Sequence, residues 1–203
     1  MIQTYSEEIT DPVAPKRLAH VVYRTRRFGE MVCWYSVVFG ARVQHRNPAM
    51  AFLTFDDEHH RFAFLDLAII DPKGAQRRNT SWIGVDHLAW TYGSLDELFM
   101  NYHHCKSHGI MPYWCIHHGL TISMYYADPD GNQMEFQVDA FDTTEECNAY
   151  ISGPSFEANP VGVEFDPEQW LEAVRDGASL ADFRVRTVHA PVSPIRGAVS
   201  ELL

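Results

Sequence analysis

The sequence predicts an α+β fold built from two tandem βαβββ modules and a helical C-terminal extension. An apolar strand, an amphipathic helix and three short strands occur in the same order in two stretches of the chain. A glycine follows each predicted helix, Gly40 in the first stretch and Gly109 in the second. With 203 residues, 46% of them hydrophobic and 21% charged, the chain can bury a sizeable core.

The first module is predicted over residues 17–70, after a polar N-terminal arm at 1–16. Its helix carries apolar side chains at helical spacing, and turn-forming clusters separate its later strands. The predicted elements are a strand at 18–23, a helix at 28–39 and strands at 42–45, 50–55 and 61–67. A polar linker over 71–83 contains Pro72 and Gly74 and ends the module.

The second module is predicted over residues 84–140 and repeats this order. Its elements are a strand at 85–92, a helix at 95–108 and strands near 112–116, 121–127 and 133–138. Residues 141–203 form the extension, with helices at 143–151 and 167–177. The second of these has Asp166 as its N-cap, Pro167 at its first position and Gly177 as the residue that stops it.

The composition excludes several classes of protein. Sixteen Lys and Arg residues against 27 Asp and Glu give a net charge of −11, which disfavours nucleic acid as a partner. No apolar run approaches the ~20 residues of a membrane span, and the first residues do not resemble a signal peptide. The cysteines are far apart and form no CxxC pair, which argues against structural zinc and a disulfide framework. We expect a cytoplasmic protein with a small-molecule ligand.

The chain has 11 histidines, and two of them lie at duplicated positions. His20 in LAHVVY and His87 in VDHLAWT occupy the first strand of each module. A single buried imidazole is more often a core residue with a hydrogen-bond partner, because leaving it unpaired costs about 1–3 kcal/mol. Two histidines at equivalent positions favour a shared function. We expect the two modules to bring both imidazoles into one cavity.

Glu135 is the third candidate residue. It follows the DPDGN turn and alternates with apolar neighbours, so it shares one strand face with Gln133 and Gln137. That face could be solvated, but we take Phe64 as the counterpart of Glu135 in the first module, which predicts an interior position. A carboxylate there needs a cation. Two imidazoles and one carboxylate form a facial triad that suits Fe(II) and leaves about three coordination positions open.

These residues resemble the metal-ligand motifs of the vicinal oxygen chelate superfamily, and in particular its single-domain type I extradiol ring-cleavage dioxygenases. The resemblance covers roughly residues 16–140 and is most specific in YYADPDGNQMEFQ. It implies one domain with an open curved sheet around a metal site. It also implies His20, His87 and Glu135 as ligands of Fe(II), with Mn(II) accepted by the same donors.

The resemblance implies three further site residues. His60 begins the H-x-x-A-F pattern of the family's base histidine, and Tyr125 lies ten residues before Glu135. A further family histidine precedes the tyrosine, where this chain has His117 and His118; His118 is preferred because Gly119 follows it. His60 would transfer protons, Tyr125 would hydrogen-bond the substrate oxygen, and His118 would help to hold the diol. The remaining histidines need no chemical role: His45, His59, His103, His104, His108, His117 and His189.

The implied activity is cleavage of a catecholic ring, resembling 2,3-dihydroxybiphenyl or catechol, by O₂ in aromatic compound catabolism. The implied assembly is a homo-oligomer. One alternative is a glyoxalase-type lyase or isomerase, which needs a fourth protein ligand in place of Phe64; Asp66 is the nearby substitute. Another is a metal-free module that binds an aromatic drug, and a solvated turn is the alternative reading of His60.

Overall fold

The structure is a computed structural model that describes residues 18–72, 85–187 and 190–197. The predicted arm, most of the predicted linker and His189 lie outside these residues. Within them, no helix combines the length and the hydropathy needed to cross a bilayer.

The first half of the chain forms a four-stranded sheet with one helix packed on it. Its elements are β1 (Val21–Thr25), α1 (Phe28–Val38), β2 (Arg42–Arg46), β3 (Met50–Thr54), β4 (Phe62–Asp66) and the short α2 (Leu67–Ile70). The strand order is β1-β4-β3-β2, and β1 runs parallel to β4. Gly40 has a φ of 60°, as expected of the residue that ends a helix in the left-handed region.

The second half repeats the order within a five-stranded sheet. Its elements are β5 (His87–Thr91), α3 (Leu95–Ser107), β6 (Trp114–His117), β7 (Thr121–Ala127) and β8 (Gln133–Asp139). The strand order is β5-β8-β7-β6-β9, where β9 comes from the extension, and β5 runs parallel to β8. Gly109, at φ 74°, follows α3 as Gly40 follows α1. The predicted fold class is confirmed.

The C-terminal extension contains a short strand in addition to its helices. It contains α4 (Thr144–Ile151), α5 (Pro154–Ala158), β9 (Val163–Glu164), α6 (Pro167–Arg175) and a 3₁₀ turn at Leu180–Arg184. The two predicted helices correspond to α4 and α6, and Asp166 caps α6 as predicted. The strand β9 was missed because two residues that pair with the edge of β6 leave no periodicity in the sequence.

One face of each sheet is buried in a common aromatic core. Phe39, just after α1, packs against Phe136 of β8 with ring centroids 5.1 Å apart. Phe62 of β4 packs against Trp90 of β5 at 5.6 Å. Because side chains alternate along a strand, the residues between these core positions point to the opposite faces of the sheets, where the candidate site residues lie.

The strand register corrects one prediction. Val22 of β1 pairs with Ala63, and Ala89 of β5 pairs with Glu135. Val22 and Ala89 each lie two residues after their strand histidine, so the counterpart of Glu135 is Ala63. The assignment of Phe64 was wrong by one residue, because counting from the turns does not reproduce the pairing of parallel strands. Alanine cannot bind a metal either, so the absence of a fourth ligand at this position still holds.

Candidate active site

Glu135 lies on β8, between β5 and β7 of the second sheet, and is only 5% exposed. Its carboxylate faces away from the aromatic core, beside β5 and β7. His87 Nε2 lies 3.2 Å from Oε2, and His118 Nε2 lies 3.8 Å from Oε1. The sheet thus brings together a carboxylate and two imidazoles that are far apart in sequence.

The ionisation states of Glu135 and His87 depend on each other. Burial alone would raise the pKa of Glu135, but hydrogen bonds from His87, Ser123 and Tyr125 outweigh it and lower the pKa below its ordinary value. The hydrogen bond to Glu135 raises the pKa of His87 to about 9, against an opposing effect of burial. The carboxylate therefore keeps its negative charge and is paired with a protonated His87.

Asp86 orients His87 and was missed in the sequence. Its Oδ1 lies 2.6 Å from His87 Nδ1, so the ring is held with Nε2 directed at Glu135. A carboxylate bound to the far nitrogen of an imidazole is a frequent arrangement around metal ligands, since it fixes both the tautomer and the ring direction. The sequence feature that could have identified Asp86 is its position, as an acidic residue, directly before the strand histidine His87.

Tyr125 and His118 form a hydrogen-bonded pair next to Glu135. His118 Nδ1 contacts the carbonyl oxygen of Val161, which can only accept, so Nδ1 carries the proton and Nε2 is free to accept. Tyr125 Oη lies 3.1 Å from that Nε2, and its single O–H can donate either to it or to Glu135. Burial lowers the pKa of His118 and raises that of Tyr125, so the imidazole is neutral and the phenol keeps its proton.

His117 lies on the other face of β6 and takes no part in this group. Its Nδ1 accepts a hydrogen bond from the Gly119 N–H at 3.0 Å, and its Nε2 donates to the Arg184 carbonyl at 3.2 Å. The bond accepted by Nδ1 requires the neutral ring, and burial lowers the pKa of His117 to about 4. Of the two adjacent histidines, His118 is the one beside Glu135.

This buried neutral ring predicts a loss of stability in mild acid. The unfolded chain takes up a proton near pH 6.5 and the folded chain only near pH 4, so the free energy of unfolding falls as the pH drops between these values. The loss amounts to about 3 kcal/mol. Urea unfolding of His117→Gln, whose amide can keep both hydrogen bonds, should show a correspondingly flatter pH profile. The exposed His103→Gln is the control, and equal profiles for all three proteins would contradict the prediction.

His20 and His60 lie together on the first sheet. The two ring centroids are 4.4 Å apart, and His60 also stacks on Phe52 at 4.6 Å. Arg61 fixes the backbone before His20 through a 2.8 Å bond from Nη1 to the Ala19 carbonyl. Burial and the neighbouring histidines lower the pKa of His60. His60 is thus half-buried between His20, which is itself exposed, and Phe52.

One copy of the chain does not bring all the predicted ligands together. Among the described residues, no group of three or more His, Cys, Asp or Glu side chains is close enough to hold a metal ion. His87 and Glu135 fit a metal by donor type and by their separation of 3.2 Å. His20 lies with His60 on the other sheet and contributes no contact to that pair in the part of the chain described.

A cavity of about 430 Å³ opens beside Glu135. Glu135, Tyr125 and His118 line one side, and the extension supplies an apolar wall on the other, lined by Cys147, Phe156 and Pro160. This volume lies in the range of about 300–1,000 Å³ that small-molecule sites occupy. The extension therefore encloses part of the site, a role that the sequence left open.

The chain matches a known protein family over the region that contains the strand histidines and Glu135. The family model of the Glyoxalase/Bleomycin resistance protein/Dioxygenase superfamily matches residues 17–136, which include both strand histidines and Glu135. The chain belongs to this superfamily. The resemblance noted in the sequence is thereby confirmed, and the two βαβββ units are those of a glyoxalase/dioxygenase superfamily domain.

Two curated proteins are similar to this chain over most of their length. Biphenyl-2,3-diol 1,2-dioxygenase 2 of Rhodococcus globerulus is 45% identical over 167 residues, covering 82% of this chain and 86% of the relative. Biphenyl-2,3-diol 1,2-dioxygenase 3 of the same organism is 38% identical over 172 residues, covering 84% and 88%. The crystal structure of lactoylglutathione lyase from Agrobacterium tumefaciens matches with a TM-score of 0.47 at 16% identity, covering 61% of this chain and 94% of that one.

Proposed function

We propose that this chain is an extradiol dioxygenase that opens the ring of a catecholic substrate with O₂. The observation that carries the proposal is the buried Glu135, with His87 at 3.2 Å and the Tyr125–His118 pair beside it, at the end of a cavity large enough for an aromatic diol. The names of two relatives, at 45% and 38% identity, support the same activity. As a homo-oligomer in the cytoplasm, the enzyme would act in the catabolism of aromatic compounds.

His20, His87 and Glu135 would hold Fe(II), and Mn(II) suits the same nitrogen and oxygen donors. When bound, the metal would let electrons pass from the diol to O₂ and hold the two reactants next to each other. The donors fit this role chemically, although a single copy of the chain supplies only His87 and Glu135 at one place.

The remaining residues would manage protons and position the diol. Tyr125, protonated and within 3.1 Å of His118 Nε2, can donate to a substrate oxygen or pass a proton to the neutral imidazole. A protonated His118 would be stabilised by the Glu135 carboxylate at 3.8 Å. His60 would accept a proton from the diol and return it as the ring opens. Both atoms of O₂ enter the product and one ring carbon–carbon bond beside the diol breaks, so no further oxidant is needed.

The first sheet argues against the glyoxalase-type alternative. That chemistry needs a fourth protein ligand, but Ala63 occupies the position equivalent to Glu135. The nearby substitute, Asp66, accepts a hydrogen bond from the Ala68 N–H at 2.8 Å and caps α2. A metal-free binding module would not need a buried carboxylate paired with an oriented histidine.

Anaerobic loading with Fe(II), followed by catechol, 3-methylcatechol or 2,3-dihydroxybiphenyl in air, tests the proposed function. We expect oxygen uptake and a yellow ring-opened product with at least one of these diols, and neither without iron. Protein that retains iron but consumes no oxygen with any of the diols would refute the proposal.

A further inference from the structure

The C-terminal segment at residues 193–197, which we call the strap, lies against the end of β8 that pairs with His87. We propose that the strap positions His87 by holding Gln133, which in turn holds Asp86. Gln133 and the strap are positioning elements, because they act through the direction of the His87 ring. The inference deepens the proposed function and rests on His87 as a metal ligand.

Gln133 fixes the backbone directly before His87. His87 is the first residue of β5, and it pairs with Gln133, the first residue of β8. Asp86 precedes the strand, and its carbonyl oxygen accepts a hydrogen bond from Gln133 Nε2 at 3.0 Å. Asp86 Oδ1 in turn lies 2.6 Å from His87 Nδ1. Because Asp86 makes both contacts, a displaced Gln133 amide would displace the carboxylate that directs the ring.

The side-chain amide of Gln133 is bound at both ends. The residue is only 7% exposed, and Tyr113 Oη donates to its Oε1 at 2.8 Å while its Nε2 donates to Asp86. The amide has one favourable orientation, since turning it over would set its oxygen against the Asp86 carbonyl oxygen, which can only accept. Gln133 therefore holds the Asp86 carbonyl in one place as long as its own oxygen stays beside Tyr113.

The strap approaches this amide through its backbone at Gly197. A Cβ atom added to Gly197 would lie 1.9 Å from Gln133 Oε1 and 3.0 Å from Tyr113 Oη, so no side chain fits at this position. The φ of 90° at Gly197 lies in the left-handed region, which also favours glycine. The backbone of the strap therefore limits where the Gln133 oxygen and the Tyr113 hydroxyl can lie.

Two side chains anchor the strap to the second sheet. Ser193 is 6% exposed, and its Oγ accepts a hydrogen bond from Trp114 Nε1 at 3.1 Å and donates to Glu164 Oε1 at 2.7 Å. Arg196 binds the same carboxylate through Nε at 2.6 Å and Nη2 at 3.1 Å. Glu164 belongs to β9, which pairs with the edge of β6. Because Arg196 directly precedes Gly197, these contacts hold that glycine in place.

Alanine substitutions at two glycines separate the contact with Gln133 from the effect of backbone strain. Gly197→Ala adds a methyl group where Gln133 Oε1 lies, so the amide or the strap must move. Gly177→Ala, after α6, is the matched control: its φ of 105° causes similar strain, but nothing lies within 4 Å of the added Cβ. The affinity for Fe(II) is measured without oxygen, by competition with a chelator whose iron complex is coloured.

We expect Gly197→Ala to weaken Fe(II) binding by about 10-fold, the lower end of the effect of losing a residue that supports a metal ligand. Gly177→Ala should bind Fe(II) like the wild type. In an Asp86→Ala background, Gly197→Ala should cause no further loss, because the connection to His87 is already cut. Equal affinities of the two glycine variants, or an additive loss in the Asp86→Ala background, would overturn the inference.

Iron affinity and oxygen uptake separate this inference from the proposed function. The expected affinities without oxygen uptake on any diol would support the role of the strap and refute ring cleavage. Ring cleavage by the wild type, with equal affinities of the two glycine variants, would refute the role of the strap and leave the function standing. A wild type that binds no Fe(II) would overturn both. Tyr113→Phe, which removes only one hydroxyl, takes the place of Gly197→Ala if that chain does not fold.

Discussion

Replacing Glu135 by glutamine is expected to abolish ring cleavage and iron binding together. Glutamine keeps the size of the side chain but removes the negative charge that pairs with His87 at 3.2 Å. Loss of a residue that only supports a metal ligand costs about 10–100-fold in affinity or activity, and loss of a ligand should cost more. The measurements are kcat/KM with 2,3-dihydroxybiphenyl and the iron content of the loaded protein.

The control for this substitution is Glu145→Gln, which removes the same charge from an exposed position on α4. It should retain iron and activity at wild-type levels. A Glu135→Gln protein that binds iron and turns over the diol like Glu145→Gln would contradict the assignment of Glu135.

Replacing Tyr125 by phenylalanine is expected to lower kcat by about 10²–10³-fold, the usual effect of removing one oriented hydrogen-bond donor from an active site. The iron content should not change, because Tyr125 is not among the proposed ligands. The ring would keep its packing against Trp114, whose centroid lies 4.9 Å away, so only the hydroxyl next to His118 is lost.

The neighbouring tyrosine provides the matched control. Tyr126 points to the opposite face of β7, into the core, and its hydroxyl has no hydrogen-bond partner among the described residues. Tyr126→Phe should therefore leave kcat unchanged. Equal kcat values for Tyr125→Phe and Tyr126→Phe would show that the Tyr125 hydroxyl has no role in the reaction.

The elements that the sequence predicted well are those with strong periodicity and clear ends. The helices α1 and α3 end at Val38 and Ser107, each followed by a glycine with positive φ, within one residue of their predicted ends. The elements that were missed, α2, α5, β9 and the 3₁₀ turn, have five residues or fewer. Such short elements depend on tertiary contacts, which a local pattern does not contain.

The sequence names candidate residues for the site but does not determine how they are arranged in space. Alternation along β8 placed Glu135 correctly on the face opposite the core, because that rule is local. The position of His20 depends on how the two sheets cross at Trp90 and Phe62, and nothing in the strand patterns specifies that crossing. The register that matches Ala63 with Glu135 is also a tertiary property, which explains the error at Phe64.

Ring opening under ¹⁸O₂ tests the central claim most directly. Iron-loaded protein is mixed with 2,3-dihydroxybiphenyl in ¹⁸O₂, and the product is examined at once by mass spectrometry, before the oxygen of its new carbonyl group exchanges with water. The account predicts a product opened beside the diol that carries both oxygen atoms of O₂. An unopened ring, a bond broken between the two hydroxyl-bearing carbons, or a product without label from O₂ would contradict it.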